Sequence, residues 1–195
     1  MKLFKPLFVF VIGLLLGPEL FAQETEKKIT EPSDMFVGGS LSLGFGTGSF
    51  NVGLHPHVGY TLAKWIDVAA VVNFEYQSVR DGFNNKFHNT NYGLGAFTRI
   101  YPVQFIFIQA QPEYNIIQQK FIPASGTSLK DKLEAPSLLL GAGYTTSRSG
   151  KNSFTYLSVL VDVIKDKDSP YIDGFGNLIP IIRAGINIGL NRKVR

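Results

Sequence analysis

The chain has 195 residues, three histidines, no cysteine and a formal net charge of +4. That is enough chain for one domain with a core, and the missing cysteines exclude a disulfide framework, a thiolate metal centre and a cysteine-borne lipid anchor. The mild, unclustered positive charge argues against nucleic acid as a partner.

The first segment has the pattern of an export signal. Lys2 and Lys5 form a positive start, and Leu7 to Leu16 is an apolar run too short to span a bilayer as a helix. Leu20-Phe21-Ala22 before Gln23 reads as the cleavage site, so residues 1–22 are expected to be a cleavable signal peptide. Removing it takes away two lysines and one glutamate, leaving +3. Residues 23–34 are polar and read as a short periplasmic lead-in. No later stretch approaches 18 consecutive apolar residues, so no transmembrane helix is expected.

From residue 35 onward the pattern has period two, the signature of strands. Eight candidate strands follow in order at 36–45, 50–60, 66–77, 91–101, 106–116, 137–145, 154–164 and 180–190. The third is the clearest. Ile66, Val68, Ala70, Val72, Phe74 and Tyr76 alternate with Asp67, Ala69, Val71, Asn73, Glu75 and Gln77. These runs match the ~9–11 residues that a membrane-crossing strand needs, whereas globular strands are typically ~5–6. Two prolines, Pro56 and Pro112, fall inside strands and predict a local bulge or bend at each.

Alternation alone leaves open which parity faces out. The apolar parity is almost free of charge along whole strands, as a lipid-facing band must be when a midplane charge costs ~2–4 kcal/mol. The polar parity is therefore assigned to an enclosed lumen. It carries His55, His57, Asp67, Glu75, Arg99, Glu113, Asp162 and Arg183. Parity also turns Phe97, Phe105, Phe107 and Leu139 inward. Aromatic residues near the strand ends form a candidate girdle at the two interfaces: Phe45, Phe50, Tyr76, Tyr92 and Tyr114 at one rim, Tyr60, Trp65 and Tyr144 at the other. Connections near 61–65, 102–104 and 146–152 are short, while those near 79–90, 118–134 and 166–177 are long and polar. That asymmetry places the termini in the periplasm.

Three stretches carry a resemblance. Pro56-His57-Val58-Gly59-Tyr60, then Gly95-Ala96-Phe97-Thr98-Arg99-Ile100-Tyr101 ending at Pro102, then Ile182 to Leu190, are similar to strands of the small porin-like outer-membrane β-barrel family of the Bacteroidota. The likeness spans residues 35–190. It implies an all-β, eight-stranded antiparallel up-and-down transmembrane barrel in a bacterial outer membrane, followed by a basic tail at 191–195. Many outer-membrane barrels end on an aromatic residue; this chain ends Asn-Arg-Lys-Val-Arg.

The lumen set reads as a structural network, because charges enclosed in a narrow barrel must pair. Counting across the turns places His57 diagonal to Asp67, Asp162 diagonal to Arg183, and Arg99 near the level of Asp67. No catalytic residue, cofactor or metal ligand set is assigned. His55 and His57 share a strand face but lack a third ligand. The expected role is a monomeric structural or surface-interaction barrel with a filled lumen. Its expected partners are outer-membrane lipids, the barrel-assembly machinery, and a surface ligand reached through residues 118–134 and 166–177. Two alternatives stand beside it. One is a narrow porin-like channel for small solutes. The other is a lipid A or phospholipid hydrolase or acyltransferase, for which Ser40 and Ser42 beside the histidine strand, or His88 in an outer loop, are the available groups.

Overall fold

In the computed structural model the described residues are 35–46, 49–80, 85–123, 128–146, 153–172 and 176–190, with backbone only at 45, 46 and 49. The expected signal peptide, lead-in and basic tail lie outside them. Eight strands run β1 (Met35–Gly46), β2 (Ser49–Ala63), β3 (Ile66–Arg80), β4 (Lys86–Val103), β5 (Ile106–Ile122), β6 (Leu129–Thr145), β7 (Ser153–Asp162) and β8 (Ile181–Gly189). Each pairs antiparallel with the next, and β1 pairs with β8, so the sheet closes in up-and-down order. Closure leaves no unpaired edge, the condition for strands to sit in hydrocarbon.

The period of two is carried through in burial. Leu41, Leu54, Leu94, Ile108 and Ile182 are all half or more exposed, while Asn73, Asp67, Asn115, Leu139 and Asp162 are fully buried on the opposite parity. A soluble domain has no use for a continuous apolar exterior of this size. The core is thus the lumen, and it is largely polar. Tight wall packing needs glycine where the interior is crowded. At Gly53 a methyl group would collide with Ser42 Oγ, His55 Nε2 and the Glu75 side chain.

Several expectations are corrected. The strands β4, β5 and β6 run well beyond the expected ends, so most of 79–90 and 118–134 is strand rather than loop. The alternation continues there, but with polar residues on the outer face, and an apolar criterion stops short of them. His88 accordingly lies on β4, opposite Ser78 and Lys120. Neither proline shifts the register. The pairing merely lapses on one side, at His55–Pro56 against β3 and at Gln111–Pro112 against β4. The register shifts fall instead at Thr61/Ala63 and Ile100/Val103, beside the tight turns. The second of these turns Phe105 outward, 48 % exposed, against the inward expectation. Phe97, Phe107 and Leu139 do point inward.

Candidate functional site

All eight lumen residues named from the sequence are buried: His55, His57, Asp67, Glu75, Arg99, Glu113, Asp162 and Arg183. Their partners differ from the expected diagonals. Asp67 stands directly opposite Arg99 and Thr61, four positions from the Val71 that faces His57. Asp162 lies beyond the last β7–β8 pair, whereas Arg183 faces Ser158. β2 and β3 stay paired down to Ala63–Ile66, which shortens the expected turn at 61–65, and the β7–β8 connection is asymmetric; these displace the two pairs.

The lumen has three levels. Nearest the short turns, the Arg99 guanidinium is stacked among aromatic rings, 3.9 Å from the Tyr156 centroid, 4.4 Å from Phe97 and 4.8 Å from Phe107. A planar cation with three π-faces around it is a favourable burial, worth roughly 0.5–2 kcal/mol per contact. Phe36, Val71 and His57 continue this layer to β1 and β2, with His57 edge-on to Phe97 at 5.2 Å. His57 Nε2 lies 2.8 Å from Asn187 Oδ1.

The middle level is a relay of amides. Arg99 Nε donates to Gln109 Oε1 at 2.7 Å, Gln109 Nε2 to Gln111 Oε1 at 2.8 Å, and Gln111 Nε2 to Glu113 Oε2 at 2.8 Å. Gln109, Gln111 and Glu113 are successive inward residues of β5, spaced i, i+2, and Arg99 joins them from the opposite position on β4. Glu113 also accepts from Asn73 Nδ2 and Asn115 Nδ2. Beside it, His55 Nδ1 lies 2.9 Å from Asn73 Oδ1, and His55 Nε2 lies 3.1 Å from Ser42 Oγ. Because Asn73 commits its amide nitrogen to Glu113, its oxygen accepts from His55 Nδ1–H.

At the upper level Glu75 Oε1 is 3.5 Å from both Arg183 Nη2 and His55 Nε2, and Asn91 donates to Glu75 Oε2. The β7–β8 connection folds down over this level. Ser169 Oγ donates to Asp162 Oδ2 at 2.7 Å, and Tyr171, 3 % exposed, reaches Glu75 with its hydroxyl at 3.5 Å. Around it remains a vestibule of about 240 Å³, lined by Ser42, Asn51, Glu75, Gln77 and Tyr171. On the exposed part of the same connection Lys167 Nζ sits 2.7 Å from Asp168 Oδ2, which holds its ammonium pKa above the usual value. The residues missed from sequence as network members (Gln109, Gln111, Asn73, Asn115, Asn91, Ser42 and Tyr171) mostly share the lumen parity. Counting amides and hydroxyls along with charges on that parity would have found all but Tyr171. Among the described residues no group of three His, Asp or Glu side chains is placed to hold a metal.

Of the proposed girdle, Phe50, Trp65, Tyr76, Tyr92, Tyr114 and Tyr144 are exposed at 38–58 %, and Tyr60 is half-buried. The side chain of Phe45 lies outside the description. From Ile66 to Tyr76 the outer face of β3 is continuously apolar or aromatic. Ten residue steps at about 3.4 Å, tilted about 40–45°, rise about 25 Å, the height of an outer-membrane apolar band. A closed eight-stranded barrel with a hydrocarbon-height apolar belt outside and a polar interior is stable in only one bacterial setting. This is an outer-membrane β-barrel. No family model matches the barrel's sequence, and no curated protein matches it either. Solved structures do match in fold. Neisserial surface protein A is 9 % identical, with 80 % of this chain and 97 % of that one covered and a TM-score of 0.50. Ail, the attachment invasion locus protein of Yersinia pestis, solved with the heparin analogue sucrose octasulfate, is 12 % identical, with 80 % and 97 % covered and a TM-score of 0.48. The N-terminal barrel domain of Pseudomonas aeruginosa OprF is 11 % identical, with 80 % and 96 % covered and a TM-score of 0.38.

Proposed function

We propose that this outer-membrane barrel is a closed scaffold with a structural or surface-interaction role, its termini in the periplasm and the long ends of β3–β6 facing outward. The observation that carries the reading is the lowest lumen level. Phe36 of β1, His57 of β2, Phe97 and Arg99 of β4, Phe107 of β5 and Tyr156 of β7 touch in sequence across the interior. Side chains from five of eight strands thus meet at one height, and an eight-stranded wall leaves little space beyond them. The strand motifs at 56–60, 95–102 and 182–190 support a place in the porin-like family of the Bacteroidota.

A lipid-modifying activity fits this placement poorly. The Ser42–His55–Asn73 chain has the spacing of a nucleophile, base and orienter, but it lies inside the wall while acyl chains lie outside. Planar-bilayer recording tests the closed reading. The refolded protein is expected to give no discrete conductance steps, and the combined Arg99→Ala, Phe107→Ala variant to give them. Steps of stable size from the unmodified protein would overturn the reading in favour of a solute channel.

A further inference from the structure

Above the apolar band the outer face of β3–β6 changes character in rungs. Phe74, Tyr92, Ile116 and Glu134 align across the four strands, then Tyr76, Thr90, Gln118 and Lys132, then Ser78, His88, Lys120 and Lys130, then Arg80 with Lys86. Glu134 is engaged by Lys132 Nζ at 2.8 Å and by the Tyr114 hydroxyl at 2.7 Å. Beyond it, the described outward residues of these strands include Arg80, Lys86, Lys120 and Lys130 and no carboxylate. Asp131 stands on the opposite parity, and its Oδ1 accepts from the Lys132 backbone N–H.

The register makes this arrangement costly by itself. Lys120 is directly opposite Lys130 on one side and His88 on the other. Like charges directly opposite each other destabilise a sheet. The rungs stand two and four residues above the Tyr76 level on the barrel's membrane-facing side, about 5–10 Å higher, which is the depth of a headgroup layer. A shallow cleft of about 680 Å³ lies over them, lined by Tyr76, His88, Gln118, Lys120, Lys130 and Lys132, with the Asp131 carboxylate at its side as the one acid against these cations. The Tyr76 hydroxyl is 2.6 Å from His88 Nδ1, and their rings stack, which holds the imidazole against the wall. By contrast, the described outward residues of β7, β8, β1 and β2 carry no lysine or arginine.

We propose that the Lys120–Lys130 face of β3–β6 is a binding site for the phosphate groups of an outer-leaflet glycolipid. The inference rests on the orientation proposed above. A phosphate between Lys120 and Lys130 neutralises their mutual repulsion, Thr90 and Gln118 supply neutral donors below it, and the lipid's acyl chains descend along the exposed Tyr92, Leu94 and Tyr114 side chains. A soluble anion would meet the same cations but would gain nothing from the apolar wall beneath them.

Refolded full chain in neutral detergent micelles is titrated with bisphosphorylated lipid A, with the same lipid stripped of its phosphates, with inorganic phosphate and with a sulfated polysaccharide. The bisphosphorylated lipid is expected to bind. Removing its phosphates, or making the Lys120→Gln, Lys130→Gln double variant, should each weaken binding at least 20-fold, at about fivefold per lysine. Lys120→Arg should retain it, and Lys167→Gln on the other side should leave it unchanged. Heat-modifiable gel mobility establishes that each variant is folded. Undiminished lipid A binding by the double variant, or inorganic phosphate or sulfated polysaccharide binding as tightly as lipid A, would overturn the proposal. Micelles report on the face itself, so this result is independent of whether the barrel conducts.

Discussion

The same four strands, β3 to β6, treat charge in opposite ways on their two faces. In the lumen Arg99 is relayed through Gln109 and Gln111 to Glu113, and Arg183 lies beside Glu75. At the outer rim Lys120 faces Lys130 and His88, and beyond Glu134 their parity carries no acid among the described residues. Enclosed charges need partners to offset their desolvation, whereas rim charges can be left for whatever surrounds the protein. The interior network is therefore expected to govern stability, and the rim to govern binding.

Four substitutions probe that contrast, in falling order of effect. Glu113→Ala removes the acceptor of Asn73, Gln111 and Asn115 and leaves buried cations without a counterion along the relay. It should cost about 3–5 kcal/mol, read as a lower urea midpoint for loss of heat-modifiable mobility. An unchanged midpoint would mean that water has entered the lumen. Arg99→Met keeps the volume among Phe97, Phe107 and Tyr156 but removes the cation stacked on their rings and the donor to Gln109, and about 2–4 kcal/mol should be lost. Ser42→Ala breaks one hydrogen bond to His55 and should cost about 1 kcal/mol in the same assay, while whole-cell lipid profiles stay unaltered. A changed lipid profile would move Ser42 from structure to catalysis. Lys130→Glu has the opposite sign. In micelles free of anionic lipid it should raise stability by about 0.2–1 kcal/mol, since it replaces a like pair with an opposite one. If it destabilises instead, Lys120 and Lys130 are not in contention and the contrast between the faces fails.

Fold class, strand order and the side facing hydrocarbon were legible because each depends on parity, and parity survives in the sequence wherever one face must be uniformly apolar. Asp67, Glu75 and Arg183 were placed inside on that basis. Strand length was not legible above the membrane. There the outer face turns polar while Phe87, Phe121 and Leu129 sit on the inner parity, so Lys120, Lys130 and Lys132 look like loop residues although their backbone remains in the ladder. Partnership was also hidden. Which lumen residue meets which depends on stagger around the ring, and pairing that runs on to Ala63–Ile66, past the expected turn, carries Asp67 away from His57. Tyr171 gave no signal at all, because a connection that folds back into the mouth has no period to betray it.

The connection that carries Tyr171 also bears on how the cylinder is sealed. The β1–β8 seam pairs only from Phe36 to Ser42, as short as the β6–β7 join, and it unites the first and last strands. Tyr171 leaves the final hairpin and anchors on Glu75 of β3, across that seam. The contact ties the last hairpin to the far side of the closing join, so a side-chain bond works beside the backbone ladder in holding the ring shut.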